Sequence, residues 1–512
     1  MGRKVGVVPA RELARRANLF RALGAAFDIT FEGREAAATA GLDGVIAFPG
    51  AHPKPGPFAI LHVIGPVAKD GEAEVRFGGD APVDRVLRGR TMIESRAPAG
   101  SLAAQPQGIV LASCNGRPVW LAHGLGPNQS FSVLLAPEEL ARGEPLADRL
   151  RPGRFLALLP LIEFLRNIDG GWTQPPLRAA FIFDDPNLHS GSYGHIDYRR
   201  LGAQARRSGF HAVMATIPHD LTFASRPVVE LFIRERELLS LTIHGNDHVS
   251  QELLRERTEN ESLALAAQAL VRTVRFEKRT GLEVSRVMCA PFEVCSEQTM
   301  RAVFRTGFEA LAIEQVQLRA AMAELDSLLG FLPADRANNG LPVVPRHRLD
   351  TPVDQLVLSA FLRRPLFLYG HHSDVARGYE RLAGIADLVN SFGDVSWAPL
   401  SAAARGSYAW RLDDGVMTVR LHGRVASIET PEPVERVVVR LPGPGMPAGL
   451  DVATEITSLA DSHRVKVEVR PRDPVDAALV AAPRWSPWPT LRRTATELRD
   501  RASAAAVGNL WR

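Results

Sequence analysis

Cysteine and long apolar runs are both scarce in this sequence. Its 512 residues include only 3 cysteines, without the spacing of a disulfide framework, so disulfide bonds are not expected to stabilise the fold. No stretch approaches the roughly 18 consecutive apolar residues of a membrane-spanning helix. The first residues also lack the apolar core of a signal peptide. These absences predict a soluble, cytoplasmic protein that does not bind membranes.

Clustered charge is also lacking. The formal net charge is only +4, and the basic residues, nearly all arginine, are scattered among acidic ones. A nucleic-acid-binding protein is expected to carry a clustered basic face, so the sequence argues against nucleic acid as a partner. The absence of internal repeats excludes a solenoid. Hydrophobic content of 46% and charged content of 23% are typical of globular domains, and nothing in the pattern indicates an oligomeric state.

The hydrophobic pattern divides the chain into three domains and a tail. Residues 1–150 predict an α/β domain, and residues 151–176 predict a connecting helix and linker. Residues 177–400 repeat strand, loop and helix, which is typical of a distorted (β/α) barrel of seven or eight strands. Residues 401–475 alternate with period two and predict a small antiparallel, β-sandwich-like domain. Residues 476–512 form a Pro- and Arg-rich tail that is weakly helical.

Polar side chains follow three predicted barrel strands where each strand ends, which is where barrel enzymes place their catalytic residues. They are Asp184 and Asp185 after the first strand, His244 and His248 after the third, and His371 and His372 after the seventh. One carboxylate and two imidazoles four residues apart suit a divalent metal, since residues i and i+4 share a face of a helical turn. A metal on Asp185 would explain why two adjacent carboxylates are tolerated there. Each motif alone could instead be a capped turn or a hydrogen-bonded loop.

This part of the chain resembles the polysaccharide deacetylase family, whose catalytic domain is called the NodB homology domain. The resemblance covers residues 177–400 and rests on the motifs FDDPN, HGNDH and YGHHSD. It implies one divalent metal ion, for which Zn²⁺ is expected. The implied ligands are Asp185, His244 and His248; the implied base is Asp184; and the implied general acid is His371 or His372.

Four positions depart from the family pattern. Pro186 replaces a glycine, and Gly245 replaces a serine or threonine. Cys289 stands where the family has an arginine that holds the base, and Glu293 replaces another glycine. Without that arginine we expect Asp184 to have a higher pKa than in relatives that keep it, because no opposite charge would favour its ionised form.

Several residues near these motifs are candidates for contacts with substrate. They belong to the loop that follows the two aspartates, to the proline–aromatic pair after the fourth strand, and to the end of the last strand. The candidates are Asn187, His189, Tyr193, Pro291, Phe292 and Trp397. Ordinary loop or core roles are the alternative for each of them.

The resemblance implies a metal-dependent deacetylase, a hydrolase that removes an acyl group from an N-acylated sugar or a related small amide. The alternative is a non-catalytic carbohydrate-binding or scaffolding protein, which the absent arginine favours. A metal-free glycosidase would leave the paired histidines unexplained. Residues 1–150 resemble, more weakly, a class I glutamine amidotransferase-like domain. Its nucleophilic cysteine is not evident, because Cys114 lies beside Asn115-Gly116, which predicts a hairpin turn.

Overall fold

The structure, a computed structural model, consists of a nine-stranded sheet, a closed parallel barrel and two three-stranded sheets. It describes residues 2–65, 71–103, 108–124, 129–321, 326–442, 449–459 and 461–510, with the side chains of the last helix described up to residue 502. No helix within these ranges combines the length and the apolar character needed to cross a membrane.

The amino-terminal sheet is mixed. Its strands are β1 (Arg3–Val8), β2 (Ile29–Gly33), β3 (Gly44–Ala47), β4 (Ala59–Val63), β5 (Ala73–Phe77), β6 (Thr91–Glu94), β7 (Gly108–Cys114), β8 (Arg117–His123) and β9 (Ser130–Val133). The order is β2-β1-β3-β4-β9-β8-β7-β5-β6, parallel as far as β9 and antiparallel beyond it. The predicted hairpin between β7 and β8 is confirmed, with left-handed φ angles of 47° at Asn115 and 79° at Gly116.

The barrel occupies the middle of the chain. Its strands and their short neighbours are β10 (Leu177–Asp184), β11 (Ser192–Tyr193), β12 (Ile196–Asp197), β13 (Ala212–Thr216), β14 (Leu239–His244), β15 (Val284–Cys289), β16 (Ala310–Glu314), β17 (Asp335–Arg336), β18 (Pro342–Arg348), β19 (Leu366–Gly370) and β20 (Val395–Trp397). Seven strands pair in parallel in the order β10-β13-β14-β15-β16-β18-β19, and β19 pairs again with β10. The predicted α/β barrel is thus confirmed with seven strands. The eighth, β20, pairs with the start of β10.

Helices cover the barrel and link the domains. They are α1 (Arg11–Arg15), α2 (Ala17–Phe27), α3 (Leu159–Ile168), α4 (Tyr198–Ser208), α5 (Arg226–Arg234), α6 (Glu259–Thr280), α7 (Glu297–Thr306), α8 (Gln315–Ala321), α9 (Val353–Phe361), α10 (Glu380–Asn390), α11 (Leu400–Arg405) and α12 (Trp488–Leu510). Thr258 and Glu261 form a capping box at the start of α6, and Gly281 ends it with a left-handed φ of 73°. Residues 179–183 of β10 are fully buried, as expected for a parallel strand with both faces covered.

The carboxyl-terminal strands form two small sheets. The strands are β21 (Tyr408–Asp413), β22 (Val416–Leu421), β23 (Val425–Thr430), β24 (Arg436–Arg440), β25 (Leu450–Ser458) and β26 (His463–Pro471). One sheet has the order β21-β22-β24 and the other β23-β26-β25. The pairing is antiparallel except between β22 and β24, which run parallel. The tail beyond them ends in α12.

Three histidines with a lowered pKa should make the fold sensitive to acid. Burial lowers the pKa of His211 and of His347 to about 4, and that of His422 to about 3. The unfolded chain therefore binds more protons than the folded chain between the folded pKa and the unfolded value of about 6.5. For His211, the free energy of unfolding is therefore highest above pH 6.5 and decreases as the pH falls towards 4. Each histidine can change the free energy of unfolding by at most about 1.4 kcal/mol per pH unit.

We expect the urea midpoint of unfolding to fall from pH 7 to pH 5, and the fall to be smaller in His211→Gln. His123→Gln is the matched control, because His123 is only partly buried. An equal pH dependence in His211→Gln and the wild type would contradict this role for His211.

Candidate active site

The mouth of the barrel, where the carboxyl ends of its seven strands meet, brings three potential metal ligands together. One ligand atom from each of Asp185, His244 and His248 lies within 4.8 Å of the others. Both histidines are buried, and the Asp185 side chain is 22% exposed. In the part of the chain that the structure describes, this is the one such cluster of three histidine, cysteine or carboxylate groups.

The backbone at two of these residues is left-handed. The φ angle is 76° at Asp185 and 52° at His248, a region that is unfavourable for residues other than glycine. The helical turn predicted between His244 and His248 is wrong, since residues 245–248 form an irregular loop. The loop nevertheless places the two imidazole centroids 4.9 Å apart. The two rings therefore converge through a left-handed backbone and not through helical periodicity.

Glu252 holds the loop between His244 and His248 in place. Its buried carboxylate accepts hydrogen bonds from the amides of Asn246, at 2.6 Å, and Asp247, at 3.1 Å. Gly245 has a φ of 63°, and a Cβ atom there would lie 2.0 Å from the Glu252 carboxylate. Glycine is thus required at the position where the resembled family has serine or threonine.

The three side chains fit a divalent ion such as Zn²⁺. Nδ1 of His244 donates to the Cys289 carbonyl oxygen over 3.1 Å, which leaves Nε2 unprotonated and available as a ligand. Burial lowers the pKa of His244, and it lowers that of His248 to about 4, so both rings are neutral at pH 7. Burial opposes ionisation of Asp185, but His248, His244 and Arg493 outweigh it and lower that pKa to about 2. Two neutral imidazoles and a carboxylate form a donor set that zinc accepts.

Asp184 is held by an arginine from a different strand than the sequence suggested. Arg346 of β18 donates from Nη2 to Asp184 Oδ2 over 2.6 Å, and its Nη1 lies 2.6 Å from Glu293 Oε1. The guanidinium also lies 4.0 Å from the centroid of the Tyr369 ring. Burial opposes ionisation of Asp184, but Arg346, His244 and His371 together outweigh it, and the pKa is lowered. The premise that Asp184 has no opposite charge beside it is therefore wrong, because Arg346 supplies the cation that Cys289 does not; the comparison of its pKa with that of relatives stays a prediction.

We expect Arg346→Met to shift the acid limb of any pH–activity profile upward by roughly one to three pH units, because Asp184 loses the opposite charge that keeps it ionised. Leaving the buried Asp184 carboxylate without its cation should also cost about 3–5 kcal/mol of stability. The profile is measured below the melting temperature of the variant.

Arg364→Met is the matched control for this variant. Arg364 is equally buried and pairs with Asp335 over 2.8 Å, away from Asp184. The Arg364→Met variant should lose comparable stability without a shift in the acid limb of the pH–activity profile. An unmoved limb in Arg346→Met would show that Arg346 has only a structural role.

The two histidines after β19 occupy different surroundings. His371 is exposed. Against the effect of burial, His371 is one of the groups that lower the pKa of both Asp184 and Asp185. His372 is half-buried, stacks on His195 with centroids 5.5 Å apart, and places Nε2 3.7 Å from Asp500. Of the two, His371 is the exposed histidine, whereas His372 is engaged by its neighbours.

The candidates for substrate contacts are scattered. Phe292 is 55% exposed, with its ring centroid 5.2 Å from that of His248, whereas its neighbour Pro291 is buried. Asn187 is buried and accepts from the His189 amide through its side chain. These positions leave Phe292 as the aromatic side chain presented at the mouth.

Trp397 lies away from the mouth, whereas His189 and Tyr193 lie at the mouth but are bound by helix α12. Trp397 pairs in register with Ala179, five residues or about 16 Å before Asp184 on β10, so it lies near the opposite end of the barrel. His189 and Tyr193 do border the mouth, but both bond to acidic side chains of α12.

Helix α12 lies across the mouth, which the weakly helical pattern of the tail did not indicate. Arg493 Nη1 lies 3.5 Å from Asp185 Oδ1, and Arg492 donates to His248 Nδ1 over 3.3 Å. Because arginine only donates, this second contact puts the His248 proton on Nε2. Binding of a metal through Nε2 would move that proton to Nδ1 and open the contact. Neither arginine belongs to a motif; the one signal in the sequence is the clustering of arginines in the tail.

Comparison with solved structures gives distant likenesses. A crystal structure described as Agd3, a novel carbohydrate deacetylase, has a TM-score of 0.49 and 9% identity over 92% of this chain and 99% of that chain. A putative polysaccharide deacetylase from Mycobacterium smegmatis has a TM-score of 0.34 and 14% identity over 46% of this chain and 92% of that one. A 4-alpha-glucanotransferase from Thermococcus litoralis has a TM-score of 0.32 and 12% identity over 44% of this chain and 40% of that one.

No protein-family model and no curated protein sequence matches the chain. Because the structural likenesses are distant and include different activities, the function is inferred from the site itself. The resemblance of the amino-terminal domain to glutamine amidotransferases stays a prediction.

Proposed function

We propose that this protein is a metal-dependent hydrolase that removes an acyl group from an N-acylated sugar or a related small amide, with Zn²⁺ as the metal. The observation that carries the proposal is the pairing of two carboxylates with different tasks at one strand end. Asp185 converges with His244 and His248 on a metal-sized site. Asp184 is kept ionised by Arg346 and is not part of that cluster.

Asp184 is placed to act as the general base. Its Oδ2 is bound by Arg346, while Oδ1 is buried and has no hydrogen-bond partner among the described residues. A buried acceptor without a partner is costly unless a ligand satisfies it, and an attacking water would do so. Asp184 Oδ1 would take the water proton as the new bond to the acyl carbon forms. A bound divalent ion would supply polarisation of the acyl oxygen and a lower pKa for water.

His371 is the candidate general acid. Its side chain accepts a hydrogen bond from the Asp374 amide, so the proton of the neutral ring lies on the other nitrogen. In its imidazolium form, the exposed ring would donate a proton to the departing amine as the carbon–nitrogen bond breaks, and would return to the neutral form. His372 is engaged with His195 and Asp500, which leaves it less suited to this step.

The non-catalytic alternative loses its main support. It rested on the absence of an arginine beside the base, and Arg346 fills that role from β18. Carbohydrate binding without chemistry would also leave the buried, ionised Asp184 and its free oxygen without a function. The hydrolase therefore accounts for more of the site.

The proposal is tested by incubating the purified protein, loaded with zinc, with a panel of N-acetylated sugars and small N-acyl amides. We expect equal amounts of acetate and free amine from at least one sugar, and no release after treatment with a chelator. Protein that holds zinc but releases no amine from any panel member would favour the binding protein instead.

A further inference from the structure

Helix α12 is docked on the mouth by polar contacts that span its described length. The contacts join Thr490 to His219 at 3.0 Å, Arg492 to His248 at 3.3 Å, Arg493 to Asp220 at 2.8 Å, Glu497 to His189 at 2.8 Å, and Asp500 to Tyr193 at 3.0 Å. Arg493 is the firmest anchor, because it is 5% exposed and bonds the 2% exposed Asp220 through two nitrogens. The face turned away from the mouth includes two exposed leucines, Leu491 at 62% and Leu498 at 64%.

These contacts fall on one side of the mouth. The residues that α12 contacts follow β10, β13 and β14, and Asp500 also approaches His372 after β19. These four strands are neighbours in the closed barrel, so the covered loops form a continuous arc. Among the side chains that the structure describes, no hydrogen bond or ion pair joins α12 to the loops after β15, β16 or β18.

The other side of the mouth presents exposed groups. Phe292 follows β15 and is exposed; His371 is exposed as well and follows β19, at the edge of the covered arc. Helix α12 contacts Asp185 and His248 of the metal-ligand cluster directly, and the Phe292 ring lies 5.2 Å from His248 on the side where the described part of α12 makes no polar contact. A sugar inside a polymer has neighbours on both sides, so its acyl group can reach the metal only in a groove that is open in both directions.

We propose that α12 closes one side of the active-site cleft, so that the protein deacylates single small sugars or the end residue of a sugar chain and not residues within a chain. This inference rests on the proposed function, since it names the class of substrate for that same site. The anchors that restrict the substrate are Arg493 and Asp500. Arg493 also lies 3.5 Å from Asp185, a proposed metal ligand, so variants are compared only by the ratio of their rates on end and inner residues.

The test uses the full-length protein loaded with zinc and a tetramer of N-acetylglucosamine, with the monomer alongside. Mass spectrometric sequencing of the products shows which residue has lost its acetyl group. We expect the end residue to be favoured over the inner residues by at least about tenfold, or the monomer alone to react. Deacetylation of the inner residues at a comparable rate would overturn the inference while leaving the proposed function intact. Absence of reaction with every N-acylated compound would instead remove the proposed function itself.

Variants then ask whether α12 is the cause. Arg493→Ala combined with Asp500→Ala should lower the preference for the end residue by about tenfold or more, because the open cleft then admits both neighbours. Leu491→Ala is the matched control on the outward face of the same helix and should keep the wild-type preference. Unchanged selectivity in the folded double variant would overturn the role of α12.

Hydrogen exchange gives a readout that does not depend on activity. Amides of residues 488–502 should be protected in the wild type and in Leu491→Ala, and should exchange faster in the double variant. Equal, fast exchange in the wild type would show that the helix does not stay on the mouth, and would overturn the inference without any enzymatic assay.

Discussion

Asp184→Asn is expected to lower kcat by roughly 10²- to 10⁴-fold, the usual contribution of a general base. Asparagine keeps the shape of the side chain and can still meet Arg346, but it cannot accept the proton of the attacking water. The metal content should stay near that of the wild type, since Asp184 is outside the ligand cluster. The measurement is amine release under saturating substrate, with zinc determined on the same sample.

Glu293→Gln is the matched control for this substitution. Glu293 lies 2.6 Å from the same guanidinium of Arg346, and burial raises its pKa to about 8. The change replaces a second buried acid on the same guanidinium but leaves Asp184 Oδ1 free, so the loss of kcat should be far smaller. Similar losses in the two variants would mean that the contacts around Arg346 matter, and not proton transfer by Asp184.

Loss of the histidine ligands should reduce activity by an equally large factor, because the metal ion is lost with them. His244→Ala and His248→Ala each remove one of three donors, and the double variant leaves Asp185 alone. We expect about one zinc ion per chain in the wild type, and almost none in the double variant after dialysis against buffer that contains no chelator. Activity should fall with the metal content.

His219→Ala serves as the comparison for the ligand variants. His219 lies at the same mouth, 3.6 Å from Asp247, but does not belong to the cluster of ligand atoms. It should keep the zinc of the wild type. Equal zinc in His219→Ala and in the double variant, whether high or low, would place the metal elsewhere.

The fold followed from local patterns in the sequence. Continuous apolar runs such as residues 179–183 predict buried parallel strands, and the observed barrel strands coincide with them. The boundaries of helices were less accurate. Helix α6 begins only at Glu259, although the chain from Glu252 onward is rich in residues that favour helix; Glu252 is used instead to hold the loop between His244 and His248. A tertiary role for one carboxylate thus overrode local helix propensity.

Only the site residues that lie at the ends of predicted strands could be identified from the sequence. The aspartates and histidines at strand ends are recognisable because a barrel places all such ends at one mouth. Arg346 lies on β18, 57 residues after the Cys289 of β15, and only the closure of the barrel brings both next to Asp184. The arginines of α12 are further still along the chain. Their role depends on where the tail packs, which no local pattern encodes.

The most direct test of the central claim is a zinc titration of chelator-stripped protein with continuous measurement of amine release from a reactive N-acetylated sugar. The proposed site predicts no activity before zinc is added, and a rise that ends at one ion per chain. It also predicts that Asp184→Asn binds the same single ion and stays inactive. Full activity in the stripped protein, or saturation with zinc without any amine release, would contradict metal-dependent hydrolysis at this site.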